Sequence, residues 1–306
     1  MKTNRVTLGT DPEFFLMEED SKKKISAIPH IKGTKYEPLF LPNGSKIQHD
    51  NVALEFSTAV AKDGHDLANK IKETLMLIKK DIPKGMSMIA EASAEFAEDQ
   101  LQDFEALQFG CEPDFNAWTL NVNIPPSIDT NLRSCGGHLH VGHTENSGCD
   151  FLLNDFGKIH VVRMMDTFHG IVSVVLDSSM EAHRRRELYG KAGCYRPTSY
   201  GVEYRVMSNY WLRSPKLVAF MDYLLQDALY ELQAEDPSIF KDASKNATLI
   251  ETIGEDTIQS VINKSNVEEA KHIIDKYLVH RFGQITKDLF KEALNSTYKT
   301  IYEEWA

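Results

Sequence analysis

The sequence predicts an α+β fold, an antiparallel sheet with helices and a helical C-terminal region. Three observations predict it. Strand-like and helix-like segments are mixed over the first two thirds of the chain, without the regular βαβ alternation of a parallel sheet. Several short segments place polar and apolar residues in strict alternation, as strands with one covered face require. From residue 235 onward every segment has helical periodicity. The expected organisation is a catalytic domain over 1–235 with a helical region, 236–306, against it.

The elements follow in order. Residues 5–16 read as a strand. Residues 20–50 hold turns and short strands, with a hairpin at the Pro-Asn-Gly-Ser of 42–45. A second strand spans 51–58. Asp63 is placed to cap a helix running to about 82, because Leu67, Ile71, Leu75 and Ile78 recur at helical spacing and Pro83 ends the run. Residues 89–96, 117–126 and 136–142 read as extended. A long apolar helix is expected over 157–179, a strand over 201–207, and a helix from Pro215 to about 232. Helices at 248–263, 266–279 and 284–304 complete the chain.

The chain has 306 residues, 42 % of them hydrophobic and 26 % charged, enough to bury a core and stay soluble. Its net charge of -11 disfavours nucleic acid or an acidic membrane as a general partner. The four cysteines, Cys111, Cys135, Cys149 and Cys194, form no CxxC pair and read as reduced thiols. The first eight residues lack the apolar core of a signal peptide, and no stretch reads as a membrane span. The expected location is therefore the cytoplasm, the host's if the chain is phage-encoded.

Four segments set functional groups at strand spacing. Residues i and i+2 of a strand share a face. Asp11 and Glu13 pair in this way, as do His138 and His140, and Glu203 and Arg205; Glu55 opposes Val52, Leu54 and Phe56. Side by side, Asp11, Glu13, Glu55, His138 and Glu203 would converge on one surface. Carboxylates so gathered repel one another unless cations intervene. Oxygen donors with an imidazole suit Mg²⁺ or Mn²⁺ better than structural zinc, and two such ions can clamp a transferring phosphoryl group.

A basic stretch precedes the last of these strands. It runs from His183 through Arg184, Arg185, Arg186, Tyr189, Gly190, Lys191, Gly193 and Tyr195 to Arg196. It reads either as a surface patch or partner site or, in functional terms, as a loop that contacts nucleotide phosphates and an acyl phosphate. No P-loop or dinucleotide fingerprint is present.

The segment from Gly9 to Leu16, Gly-Thr-Asp-Pro-Glu-Phe-Phe-Leu, resembles a metal-binding strand of glutamine synthetases. Gly137 to Gly142, Gly-His-Leu-His-Val-Gly, is similar to a segment of glutamate–cysteine ligases, and Glu203-Tyr204-Arg205 to a third strand of that superfamily. Together with 50–55, 110–114 and 189–196, they resemble the phage-type amidoligases, or carboxylate–amine ligases, over about 5–215. The resemblance implies a glutamine-synthetase-like curved antiparallel sheet with helices on its outer face. It implies an ATP- and Mg²⁺-dependent (or Mn²⁺-dependent) ligase with two ions that forms amide bonds through an acyl phosphate.

It further implies that Glu13 and Glu55 hold one ion and that Asp11, His138 and Glu203 hold the other. His140, Lys191, Arg196 and Arg186 lie toward ATP. Arg205 stabilises the phosphoryl group in flight. Asp11 departs from the glutamate usual in glutamine synthetase.

An attacking amine must lose a proton, and Asp50 is the candidate base, although its spacing from Glu55 sets it off the metal face. Glu112, Asp114 and Tyr195 are candidates for substrate binding. The partners expected are small-molecule or peptide carboxylates and amines, with no membrane; a homo-oligomer is compatible with the sequence. The alternatives are a guanidino-type phosphotransferase on the same fold, a metal-dependent hydrolase, and a binding protein that has lost catalysis.

Overall fold

A computed structural model describes residues 6–107, 114–123 and 131–306. Its centre is an antiparallel sheet. The strands are β1 (Thr7–Glu18), β2 (Lys24–Ile25), β3 (Leu39–Phe40), β4 (Lys46–Asp50), β5 (Ala53–Ser57), β6 (Met86–Ile89), β7 (Ser93–Glu95), β8 (Phe115–Asn116), β9 (Leu132–Ser134), β10 (Gly137–Gly142), β11 (Cys194–Pro197) and β12 (Gly201–Tyr204). Across the sheet the order is β3-β4-β5-β1-β10-β12-β11-β8. β2 and β6 pair with the far end of β1, and β7 pairs with β9 apart from it. All pairings are antiparallel, as expected.

Alternation divides the sheet into two faces. Leu8, Phe14, Leu54, Phe56, Leu139, Val141, Val202 and Tyr204 point one way and are buried. They meet the helices Gly64–Ile78, Asp155–Met165 and Pro215–Gln233, which form the covering layer. Burying each aliphatic or aromatic side chain of this size stabilises the fold by roughly 1.5–3 kcal/mol. The opposite face carries the charged residues.

Asp63 caps the first helix as predicted, accepting from the Asp66 amide, but the helix ends at Ile78. The expected strand over 89–96 divides into β6 and β7. The extended reading of 117–126 holds only in part where described: Ala117, Trp118 and Thr119 form a turn beyond β8, and Val122 returns as an antiparallel bridge to Phe115. The long apolar helix begins at Asp155, capped by Asn154, and passes through a π-helical turn at Asp166–Gly170 before Ile171–Leu176. By length and composition Asp155–Leu176 could cross a membrane, contrary to expectation, but it lies almost wholly inside the protein.

The basic stretch begins as a helix, Met180–Leu188, capped by Ser179, and not as a loop. The C-terminal helices share the main core with the sheet, and Trp305 is fully buried, donating from Nε1 to the Leu212 carbonyl at 2.9 Å. Cys135, Cys149 and Cys194 are buried free thiols; Cys111 lies outside the described residues.

Candidate active site on the polar face of the sheet

Strand register brings the predicted carboxylates and imidazoles together. Asp11 lies opposite His138 on β10, and Glu13 opposite Glu55 on β5. His140 faces Glu203 on β12, which in turn faces Arg196 on β11. Cross-strand partners share a face, so a single surface runs Gln48, Glu55, Glu13, Asp11, the two histidines, Glu203 and Arg196.

Asp50 belongs to this surface too, which corrects its expected position. It ends β4, and a tight turn with Asn51 at φ 53° sends the chain back as β5, pairing Asp50 with Ala53 and Gln48 with Glu55. Parity counted along one uninterrupted strand fails because the chain reverses between the two residues.

The contacts are short. Asp11 Oδ1 is 3.2 Å from His138 Nδ1 and 3.2 Å from His140 Nε2. His138 Nδ1 is 3.5 Å from Glu203 Oε1 and 3.1 Å from Arg205 Nη1. Arg205 pairs with Glu203 through Nη1, and its Nε lies 2.8 Å from Asp114 Oδ1. Arg196 reaches Glu203 at 3.4 Å and Asp114 at 3.7 Å. On the other flank, Gln48 donates to Glu55 at 2.7 Å, and the Gly136 amide donates to Glu13 at 2.6 Å.

These groups perturb one another. Burial pushes the Asp11 carboxyl up, but His138 and His140 outweigh it and hold Asp11 below the usual range. Burial lowers His140, and Asp11 more than offsets this, so the imidazole is raised. Glu55 is pushed well up by burial and by the charges of Asp11, Asp50 and Glu13. Burial also raises Glu13, with Asp50 adding to it against His138, Gly136 and Arg205. Like charges directly opposite one another are unfavourable without a counterion.

Two features fit a divalent cation. One oxygen of Asp11, one of Glu203 and a nitrogen of His140 all lie within 4.8 Å of one another. Asp11 Oδ1 and His140 Nε2 are buried yet make no hydrogen bond among the described residues, although they face each other. An oxygen-rich set with imidazole matches Mg²⁺ or Mn²⁺. His140 joins the two carboxylates in this compact set, and the expected ligand His138 also lies against both of them, at 3.2 and 3.5 Å, as well as against Arg205.

Other candidates are placed elsewhere. Arg186 is buried in the core, where it donates to the Asp177 and Ser173 carbonyls and to Ser265. Arg185 is likewise buried, on the carbonyls of Val206 and Arg205. Tyr195 faces the covered side, in register with Tyr204 and in ring contact with Phe115. Lys191 is exposed on the turn before β11 and makes none of the cluster's polar contacts. Asp114 is within the cluster through the two arginines, and Glu112 lies outside the described residues. Gln48 and Tyr200 were not anticipated. Hairpin register could have revealed Gln48; nothing in the spacing marks Tyr200.

Residues 126–228, roughly a third of the chain, match the model of the family described as Phage phiEco32-like COOH.NH2 ligase-type 2. The matched segment holds His138, His140, Arg196, Glu203 and Arg205. No curated protein matches the sequence. The structure is similar to the crystal structure of a bifunctional glutathione synthetase from Pasteurella multocida, with a TM-score of 0.50 and 12 % identity. The likeness covers 99 % of this chain and 48 % of that one, so this chain spans about half its length, and at this identity it concerns the fold.

Proposed function

We propose that this chain is an ATP-dependent carboxylate–amine ligase of the cytoplasm, working with Mg²⁺ or Mn²⁺ on small-molecule or peptide substrates through an acyl phosphate. The observation that carries this reading is the convergence of Glu55, Glu13, Asp11, His138, His140 and Glu203 from four adjacent strands onto one face. The ligase family match over the strands bearing the histidines, Glu203 and Arg205 supports it.

Asp11, His140 and Glu203 would hold one cation, and Glu13 and Glu55, beside Asp50, a second. When bound, the cations and ATP supply charge neutralisation and the phosphoryl group that activates the carboxylate. The chain's own groups do the rest. Arg205 and Arg196 present guanidinium donors to phosphoryl oxygens, and Asp114 fixes their direction. Asp50, which shares this face, would accept the proton of an attacking amine.

Calorimetry with Mg²⁺ and ATP, followed by ADP release over a panel of amines and carboxylates, tests this reading. Nucleotide binding and amine-dependent ADP release are expected. Glu203→Gln is expected to abolish turnover with an unchanged circular dichroism spectrum. Absence of nucleotide binding, or full turnover in Glu203→Gln, would sink it.

A further inference from the structure

Tyr200 sits at the mouth of the cluster, 44 % exposed, on the turn between β11 and β12. Its hydroxyl is 2.6 Å from His140 Nδ1, and the two rings stack at 6.2 Å with 26° between their planes. The backbone holds it there. The His143 amide donates to the Tyr200 carbonyl at 2.7 Å, and the Thr198 amide closes the turn on the Gly201 carbonyl at 3.0 Å. A Cβ at Gly201 would stand 2.1 Å from the Val141 carbonyl oxygen, so only glycine lets β12 approach β10 at this point.

His140 therefore has one nitrogen engaged and one not. Nδ1 meets Tyr200, while Nε2 is buried 3.2 Å from Asp11 Oδ1, an approach that falls short of hydrogen-bond geometry, and the same oxygen is 3.2 Å from His138 Nδ1. A neutral imidazole carries one proton. If Tyr200 accepts from Nδ1, the Nε2 lone pair is left facing Asp11, ready for a cation between them. If Tyr200 instead donated to Nδ1, the proton would sit on Nε2 and block that position.

We propose that Tyr200 is a positioning residue whose phenolic oxygen accepts the Nδ1 proton of His140 and so presents Nε2 as a ligand for a divalent cation. This rests on the cation-dependent ligase reading above. Outer partners of this kind orient metal-binding histidines and set which nitrogen is free.

Mn²⁺ is the probe, because its resonance spectrum reports both free ion and bound imidazole nitrogen. The wild type is expected to bind Mn²⁺ with a nitrogen coupling that His140→Ala removes. Tyr200→Phe keeps the ring and loses the acceptor; its Mn²⁺ dissociation constant is expected to rise roughly ten- to a hundred-fold, with a weakened coupling. Equal or tighter Mn²⁺ binding by Tyr200→Phe overturns the proposal and leaves the ligase reading standing, as does a coupling unchanged in His140→Ala. A wild type that binds no Mn²⁺ overturns both.

Discussion

Arg205 lies against the Glu203 carboxylate at the centre of the polar face, so in this structure a guanidinium partners a carboxylate of the compact set that could hold a cation. A cation bound there would compete with Arg205 for Glu203. Removing the guanidinium charge therefore favours the cation while depriving the phosphoryl group of its donor. Arg205→Gln is expected to bind Mn²⁺ as tightly as the wild type or more so, and to lose about 10²-fold or more in ADP release. Equilibrium dialysis and a coupled ADP assay measure the two separately. A parallel fall in both would show that Arg205 serves to build the cation site.

Glu13 and Glu55 stand opposite each other with Asp50 nearby, and burial raises both glutamates. Without cations this flank is self-repelling. Glu55→Gln is expected to stabilise the cation-free protein by on the order of 1 kcal/mol, since neutralising a buried unpaired charge removes its desolvation cost. The same variant is expected to lose part of the stabilisation that millimolar Mg²⁺ gives the wild type. Thermal melts in EDTA and in Mg²⁺ check both signs. Destabilisation in EDTA would mean that the carboxylate is already neutralised by the protein.

The parts of the site that were legible in the sequence lie within uninterrupted strands. Asp11 with Glu13 and His138 with His140 follow from a period of two, and neighbouring registers bring them together. Asp50 was set on the wrong face because a two-residue turn reverses the chain, and a linear count does not see the reversal. Arg185 and Arg186 misled for a different reason. Charge suggests exposure, yet both are spent on buried carbonyls of the core, and only tertiary packing reveals those acceptors. The covering layer was readable from helical periodicity. The π-helical turn at Asp166–Gly170 was not, because an extra residue per turn leaves no mark in an apolar run.

That turn buries His169, whose Nε2 contacts the Met221 carbonyl at 3.0 Å. Burial lowers the imidazole to about 4 against an ordinary 6.5, with only the Met221 bond opposing. A group depressed on folding binds fewer protons in the folded than in the unfolded state between those values. Its contribution is complete above pH 6.5 and is lost as pH falls toward 4, by up to roughly 3 kcal/mol. Urea unfolding at pH 7, 6, 5 and 4.5 is expected to show this decline. His169→Gln, which can still donate to Met221, is expected to flatten it; an equal slope in the variant would place the titration elsewhere.

Asp166, also in the π-helical turn, connects the covered side to the site. Its Oδ2 accepts from Trp118 Nε1 and from the Gly193 amide, both at 2.6 Å, and its Oδ1 accepts from the Tyr204 hydroxyl at 2.8 Å. One helical turn earlier, Arg163 donates to the Ala117 carbonyl at 2.9 Å and lies over the Trp118 ring. Residues 117 and 118 are thus held by two buried ionisable side chains, three residues beyond Asp114, which directs Arg205. Burial still pushes the Asp166 carboxyl up to about 7 despite its three donors.

Asp166→Ala would leave all three donors buried and unmatched, at about 1–3 kcal/mol each, and is expected to cost at least about 3 kcal/mol in urea unfolding. Asp166→Asn keeps an acceptor for Trp118 and Gly193, and the Tyr204 hydroxyl can turn to accept, so its cost should stay near 1 kcal/mol. Trp118→Phe removes a single donor while keeping an aromatic ring over Arg163. It is expected to retain the fold and to lower ADP release by loosening Asp114 behind Arg205. Turnover in Trp118→Phe equal to the wild type would confine this network to stability.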